Sequence, residues 1–133
     1  MAFSGEIGRL IGNSAVHKFQ NGRNEAVVEG ALKRAVEILT PQLPIRIDEM
    51  TVLQSAISSE DTTIYFYELE NLAVDIDDER FQKDIRDHIS MGICSTPEMV
   101  ELMEIGGKYK YVYRSSDNVQ IASLHFDKSA CRP

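Results

Sequence analysis

The chain has 133 residues, 43% hydrophobic and 26% charged, which is the composition of one ordinary globular domain. Fourteen basic residues against 21 acidic ones leave a formal charge of -7, which argues against direct nucleic-acid binding, because counterion release needs clustered Lys and Arg. No run of about 18 apolar residues reads as a membrane-spanning helix, and the N-terminus lacks the basic flank and apolar run of a secretory signal. Two expectations remain: a cytoplasmic protein, or one whose signal or anchor is missing from this chain.

Residues 4–19 carry Ile7, Leu10, Ile11, Ala15 and Phe19 at helical spacing, an apolar stripe opposite Glu6, Arg9 and Lys18. Gly5, Gly8 and Gly12 weaken that helix, each by up to about 1 kcal/mol relative to Ala. Residues 1–22 are therefore read as a marginal amphipathic helix, anchor-proximal or self-associating, and residues 23–133 as one α+β domain.

The segment ending at Leu39 is the strongest helix, with Val27, Val28, Ala31, Leu32, Ala35, Val36 and Leu39 on one wide face. Thr40-Pro41 ends it, since proline disfavours helical geometry in the residue before it. Residues 45–53 alternate weakly and read as a strand. Residues 62–69 are a clear one, and the polar stretch 58–61 makes the two a hairpin. Asp77 or Asp78 caps a further helix with Phe81, Ile85 and Ile89 inward and Gly92 at its end. Thr96-Pro97-Glu98 starts a short helix burying Met99, Leu102 and Met103, and Gly106-Gly107 stops it. Residues 108–114 and 119–126 form a second hairpin around the turn composition Ser115-Ser-Asp-Asn118. The order ααββααββ predicts the α+β class, with a four-stranded antiparallel sheet and its helices on one face.

Two strands concentrate tyrosine. Tyr65 and Tyr67 share one strand face, and Tyr109, Tyr111 and Tyr113 share another, opposite Lys108, Lys110, Val112 and Arg114. The five phenols are expected to line a single sheet surface. Packing is the favoured reading for it, and an exposed protein-binding face the alternative. A second candidate surface is acidic: Glu68, Glu70, Asp75, Asp77, Asp78 and Glu79, with no intervening base.

Cys94 and Cys131 are either free buried thiols or a disulfide. Their positions favour the bridge, between an interhelical junction and a polar tail with little else to hold it. No Cys-x-x-Cys pair or neighbouring base points to an activated thiolate. His17, His88 and His125 fall on three different elements without metal-ligand spacing, and His125 shares a strand face with Val119 and Ile121 by simple alternation. Asp48 and Glu49 are adjacent on the expected strand and face opposite ways, so they form no catalytic carboxylate pair. With no phosphate loop, dinucleotide fingerprint or nucleophile elbow, no catalytic residue, metal or cofactor is assigned.

The pattern Leu43-Pro44, Asp48, Thr51, Leu53, Tyr65-Phe-Tyr67, Cys94-Ser-Thr96, Gly107, Tyr109-Lys-Tyr-Val-Tyr113, Ile121 and Cys131 resembles a group of small bacterial proteins, often bearing an N-terminal signal or membrane anchor. The resemblance covers about two thirds of the chain. It implies the fold and the paired cysteines, and transfers no catalytic residue. Three functional expectations stand. The first is a non-enzymatic accessory protein of the bacterial envelope, periplasmic or otherwise extracytoplasmic, that binds a protein partner as secretion-system pilotins or immunity proteins do. The second is a cytoplasmic acidic inhibitor that blocks a basic groove. The third is a small enzyme with a site near Asp48, His88 or His125.

Overall fold

The structure, a computed structural model, describes residues 25–70 and 79–132. The expected helix at 4–19, the domain division at 22/23, His17, and Asp75, Asp77 and Asp78 lie outside the described residues.

Helix α1, Glu25–Leu39, buries Val28, Ala31, Leu32, Ala35 and Leu39, the stripe read from its periodicity. A single 3-10 turn, Thr40–Gln42, follows it. The expected strand over 45–53 is two elements: β1, Ile45–Arg46, and β2, Thr51–Ser59. Asp48 breaks the run by accepting hydrogen bonds from the backbone N–H groups of Met50 (2.9 Å) and Thr51 (2.8 Å), so it belongs to a turn and not to a strand. A bulge between Leu53 and Ser55 then moves the inward set from Thr51 and Leu53 to Ala56, which accounts for the weak alternation of this stretch. β3, Thr62–Leu69, alternates without a break and pairs antiparallel with β2.

Helix α2, Glu79–Cys94, runs through Gly92 instead of ending there. Ile93, fully buried, is thereby carried into the core, and the hydroxyls of Thr96 (2.8 Å) and Ser95 (3.1 Å) donate to the Gly92 carbonyl as the helix ends. The Thr96 hydroxyl therefore points back to the preceding helix and does not cap α3, Pro97–Glu104. Met99, Leu102 and Met103 are buried as expected. Gly106 adopts φ 113°, and the Gly107 N–H reaches the Leu102 carbonyl at 2.8 Å, closing α3 with a left-handed stop.

Strands β4, Lys108–Ser115, and β5, Gln120–Phe126, form the second hairpin. A register shift after Tyr113 leaves Ile121 unpaired and buried in the core, whereas His125 is exposed, so the two do not share an environment.

The sheet has five strands in the order β1-β2-β3-β4-β5, and it is mixed. This corrects the four-stranded antiparallel expectation and the order ααββααββ, since the described elements run α, three strands, two α, two strands. The reason is the path of the chain. Helices α2 and α3 return it from the Leu69 end of β3 to the Thr62 end, so Lys108 lies beside Thr62, Ser115 beside Leu69, and the two strands run parallel. Ala35 and Leu39 of α1, Ile85, Ile89 and Ile93 of α2, and Met99 and Met103 of α3 join the tyrosine face of the sheet in one core. At the free edge of β5, the Gln82 side-chain amide of α2 donates to the Ile121 carbonyl at 2.8 Å.

A Cβ on Gly107 would meet the Leu102 carbonyl oxygen at 2.9 Å, a contact that only a backbone shift relieves. Gly107→Ala is expected to lower unfolding free energy by about 1–3 kcal/mol in denaturant titrations; an unchanged midpoint would contradict this close approach.

Candidate functional site

Cys94 at the end of α2 and Cys131 in the 3-10 turn Lys128–Cys131 are joined by a disulfide, with S–S 1.96 Å and Cα atoms 5.4 Å apart. Asp127 shapes that turn by accepting from the Ser129 backbone N–H at 2.9 Å, and its hydrogen bonds with Ser129 hold its carboxyl below the ordinary value. Arg132 reaches Glu104 of α3 at 3.4 Å. The bridge thus ties the tail to the junction of two helices. A shallow depression of about 450 Å³ beside it is lined by Asp87, Ser90, Met91, Ala130 and Arg132. The cross-link closes a sequence separation of 37 residues. Reduction is accordingly expected to cost about 4 kcal/mol of stability, measured by denaturation with and without reductant.

The five tyrosines do occupy one surface, and it is the buried one. Tyr65 lies tilted against Tyr111 at 5.1 Å, Tyr67 stacks on Tyr113 at 4.9 Å and on Tyr111 at 5.9 Å, and Phe126 meets Tyr111 edge-on at 5.7 Å. All five are at most 2% exposed, so Tyr65, Tyr67, Tyr109, Tyr111 and Tyr113 are core residues and present no binding face. Burial and, after it, the neighbouring phenols push the ionisation of Tyr65, Tyr109 and Tyr113 well above the ordinary range. The hydroxyls of Tyr65 and Tyr109 have no hydrogen-bond partner among the described residues.

Raised folded-state values mean the phenols stay protonated while folded and ionise only on unfolding. Their contribution is therefore complete below about pH 10 and is lost above it, by up to roughly 1.4 kcal/mol per pH unit for each phenol. Alkaline titration is expected to show phenolate absorbance rising together with loss of circular dichroism; phenolate formation in folded protein would contradict it. Tyr109→Phe, which removes an unsatisfied buried hydroxyl, should leave stability unchanged or raise it by about 1 kcal/mol.

The opposite sheet face is different. It carries Val52, Ile57, Ile64, Phe66 and Val112, with Glu68, Lys108, Lys110, Arg114 and His125 around them. None of these side chains belongs to the core that holds the helices, and Ile57 is 47% exposed. In one corner, Gln54, Ser55, Phe66, Glu68, Arg114, Ser115 and Asn118 line a groove of about 540 Å³. The Arg114 guanidinium lies 5.4 Å from the centre of the Phe66 ring. Sequence reading grouped the β4 cations with Val112 but drew no site from them. The signal was present, since a strand face with three cations at alternate positions resists burial, which leaves the tyrosine face to carry the core.

Three members of the acidic stretch, Glu68, Glu70 and Glu79, are among the described residues. Glu68 accepts from Gln54 at 3.2 Å on the outer face, Glu70 pairs with Arg46 at 2.8 Å, and Glu79 begins α2. A cavity of about 240 Å³ includes His125, Thr62, Arg86, Lys108, Tyr109 and Asp127, but neither Asp48 nor His88. Among the described residues, no helix is long and apolar enough to cross a membrane and no group of three or more His, Cys, Asp or Glu is placed to hold a metal ion.

The profile of DUF8479, a domain of unknown function, matches residues 27–123, from α1 into β5. The chain belongs to the DUF8479 family. No curated protein matches it. Among solved structures, the DUF8479 chain is similar to the pilotin EpsS of the Vibrio vulnificus type 2 secretion system, with TM-score 0.71 and 18% identity over 85% of this chain and 99% of that one. It is also similar to the type II secretion system pilotin AspS of Vibrio cholerae, with TM-score 0.66 and 14% identity over 80% and 94% of the two chains. A candidate secreted protein of Pseudomonas aeruginosa gives TM-score 0.69 and 18% identity over 81% and 96%. At these identities the likeness is one of fold.

Proposed function

We propose that this DUF8479 protein is a non-enzymatic accessory protein of the bacterial envelope, working outside the cytoplasm by binding a protein partner. The Cys94–Cys131 bridge carries this reading, because disulfides form and persist in oxidising compartments and are rare in the cytoplasm. The pilotin and secreted-protein folds that it resembles support the same compartment and the accessory role. Its partner surface is the outer face of the sheet, where apolar side chains and the cations Lys110 and Arg114 lie outside the helix-covered core. A pilotin-like role, assisting a larger envelope component, is the finer form of the proposal.

The test is fractionation of cells expressing the full native gene, followed by thiol labelling of the denatured, unreduced protein. Recovery in the envelope or periplasm with no reactive thiol is expected. Recovery in the cytoplasm with both thiols free would overturn the reading.

A further inference from the structure

The outer side of β4 carries only positive charges, in a chain that is acidic as a whole. The protein carries a formal charge of -7, yet β4 places Lys108, Lys110 and Arg114 at alternate positions of this one face. Lys108 is paired with Asp61 at 3.1 Å and holds that carboxyl below its ordinary value. Lys110 and Arg114 have no acidic group at ion-pair distance among the described residues.

Arg114 is the more telling case, because a carboxylate is within reach of its strand. Glu68 is its register neighbour on the parallel strand β3. The two charges turn away from each other: Glu68 accepts from Gln54 at 3.2 Å, while Arg114 lies over Phe66 and makes one bond of 3.4 Å to the Asn118 side-chain oxygen. The groove of about 540 Å³ is lined by these same side chains, with Phe66 and Ser55 between the strands. A guanidinium has five donors in a planar fork, and stacking on a ring leaves that fork free to take a carboxylate. Directly beside it run Phe66, Ile64 and the exposed Ile57, with Val112 between Lys110 and Arg114.

We propose that this face docks an acidic segment of the partner protein, one that alternates carboxylates with aliphatic or aromatic side chains. A carboxylate of the segment enters the groove to pair with Arg114, a second reaches Lys110, and the apolar side chains cover Ile57, Ile64 and Phe66. The Glu68 carboxylate on the groove wall restricts the groove to one singly charged carboxylate, and the apolar side chains between the cations match a peptide, which favours a protein occupant over the dense charge of a phosphate chain or an anionic bilayer. The inference rests on the reading of the chain as a partner-binding protein and names the chemistry of that partner.

The experiment uses the purified, oxidised full chain and three labelled peptides of equal length. The first is amphipathic with Glu and Leu, the second has Lys in place of every Glu, and the third has Ser in place of every Leu. Fluorescence anisotropy is expected to show saturable, salt-sensitive binding of the Glu/Leu peptide, with both others weaker by about tenfold or more. Arg114→Glu should weaken the Glu/Leu peptide by a similar factor and strengthen the Lys/Leu peptide. That reversal separates lost recognition from lost folding.

Equal binding of acidic and basic peptides, or indifference to Arg114→Glu, would overturn the proposal. So would Arg114-dependent binding to phosphatidylglycerol vesicles, or Arg114-dependent self-association, in preference to the peptide. The two readings fail separately: a cytoplasmic location with intact peptide recognition removes only the envelope role, and an exported protein blind to charge reversal removes only the acidic partner.

Discussion

Parallel pairing of β3 with β4 is the constraint on which the molecule depends. It sets Tyr65 beside Tyr111 and Tyr67 beside Tyr113 in register, so rings from two strands pack against each other along the sheet, the second pair stacked. Antiparallel pairing of the same strands would reverse β4 and bring other residues opposite each other. Parallel strands need a long crossover, and here that crossover is made of α2 and α3, the helices that cover the tyrosines. The element that enforces the register is therefore also the lid of the core it creates.

The same arrangement divides the sheet chemically. Each phenol placed inward on β4 places a cation or Val112 outward, because adjacent residues of a strand face opposite sides. A core built from a Tyr-x-Tyr-x-Tyr strand thus obliges the other face to carry whatever lies between, and here that is Lys110, Val112 and Arg114. Core and candidate site are two readings of one strand.

Much of this was legible in the residues. The 3.6-residue stripe of α1, the Pro97 start and Gly106 stop of α3, the strand over 62–69 and the shared surface of five tyrosines all appear where periodicity and turn chemistry put them. What escaped depends on contacts distant in sequence or on breaks in period. Asp48 looks like a strand residue until its carboxylate is seen to hold the Met50 and Thr51 amides, and the bulge at Gln54 erases the alternation that would have marked β2. Gly92 carries the usual mark of a helix end, but the burial of Ile93 and the two hydroxyls on the Gly92 carbonyl carry α2 onward. Strand direction was the largest omission, because adjacency in sequence says nothing about which end of β3 the helices return to. The groove escaped because Glu68 and Arg114 are 46 residues apart by number and become neighbours only through that pairing.

The two margins of the sheet carry a further meaning. β1 consists of Ile45 and Arg46 alone, and on β5 an outward carbonyl is already taken by Gln82 while Ile121 bulges the strand. The bulges in β2 and β5 interrupt the long, flat ladder of vacant amides on which identical chains polymerise. A protein built this way offers self-pairing little purchase at its margins, and among the described residues the outer face is a broad surface for adhesion whose charge selects what adheres.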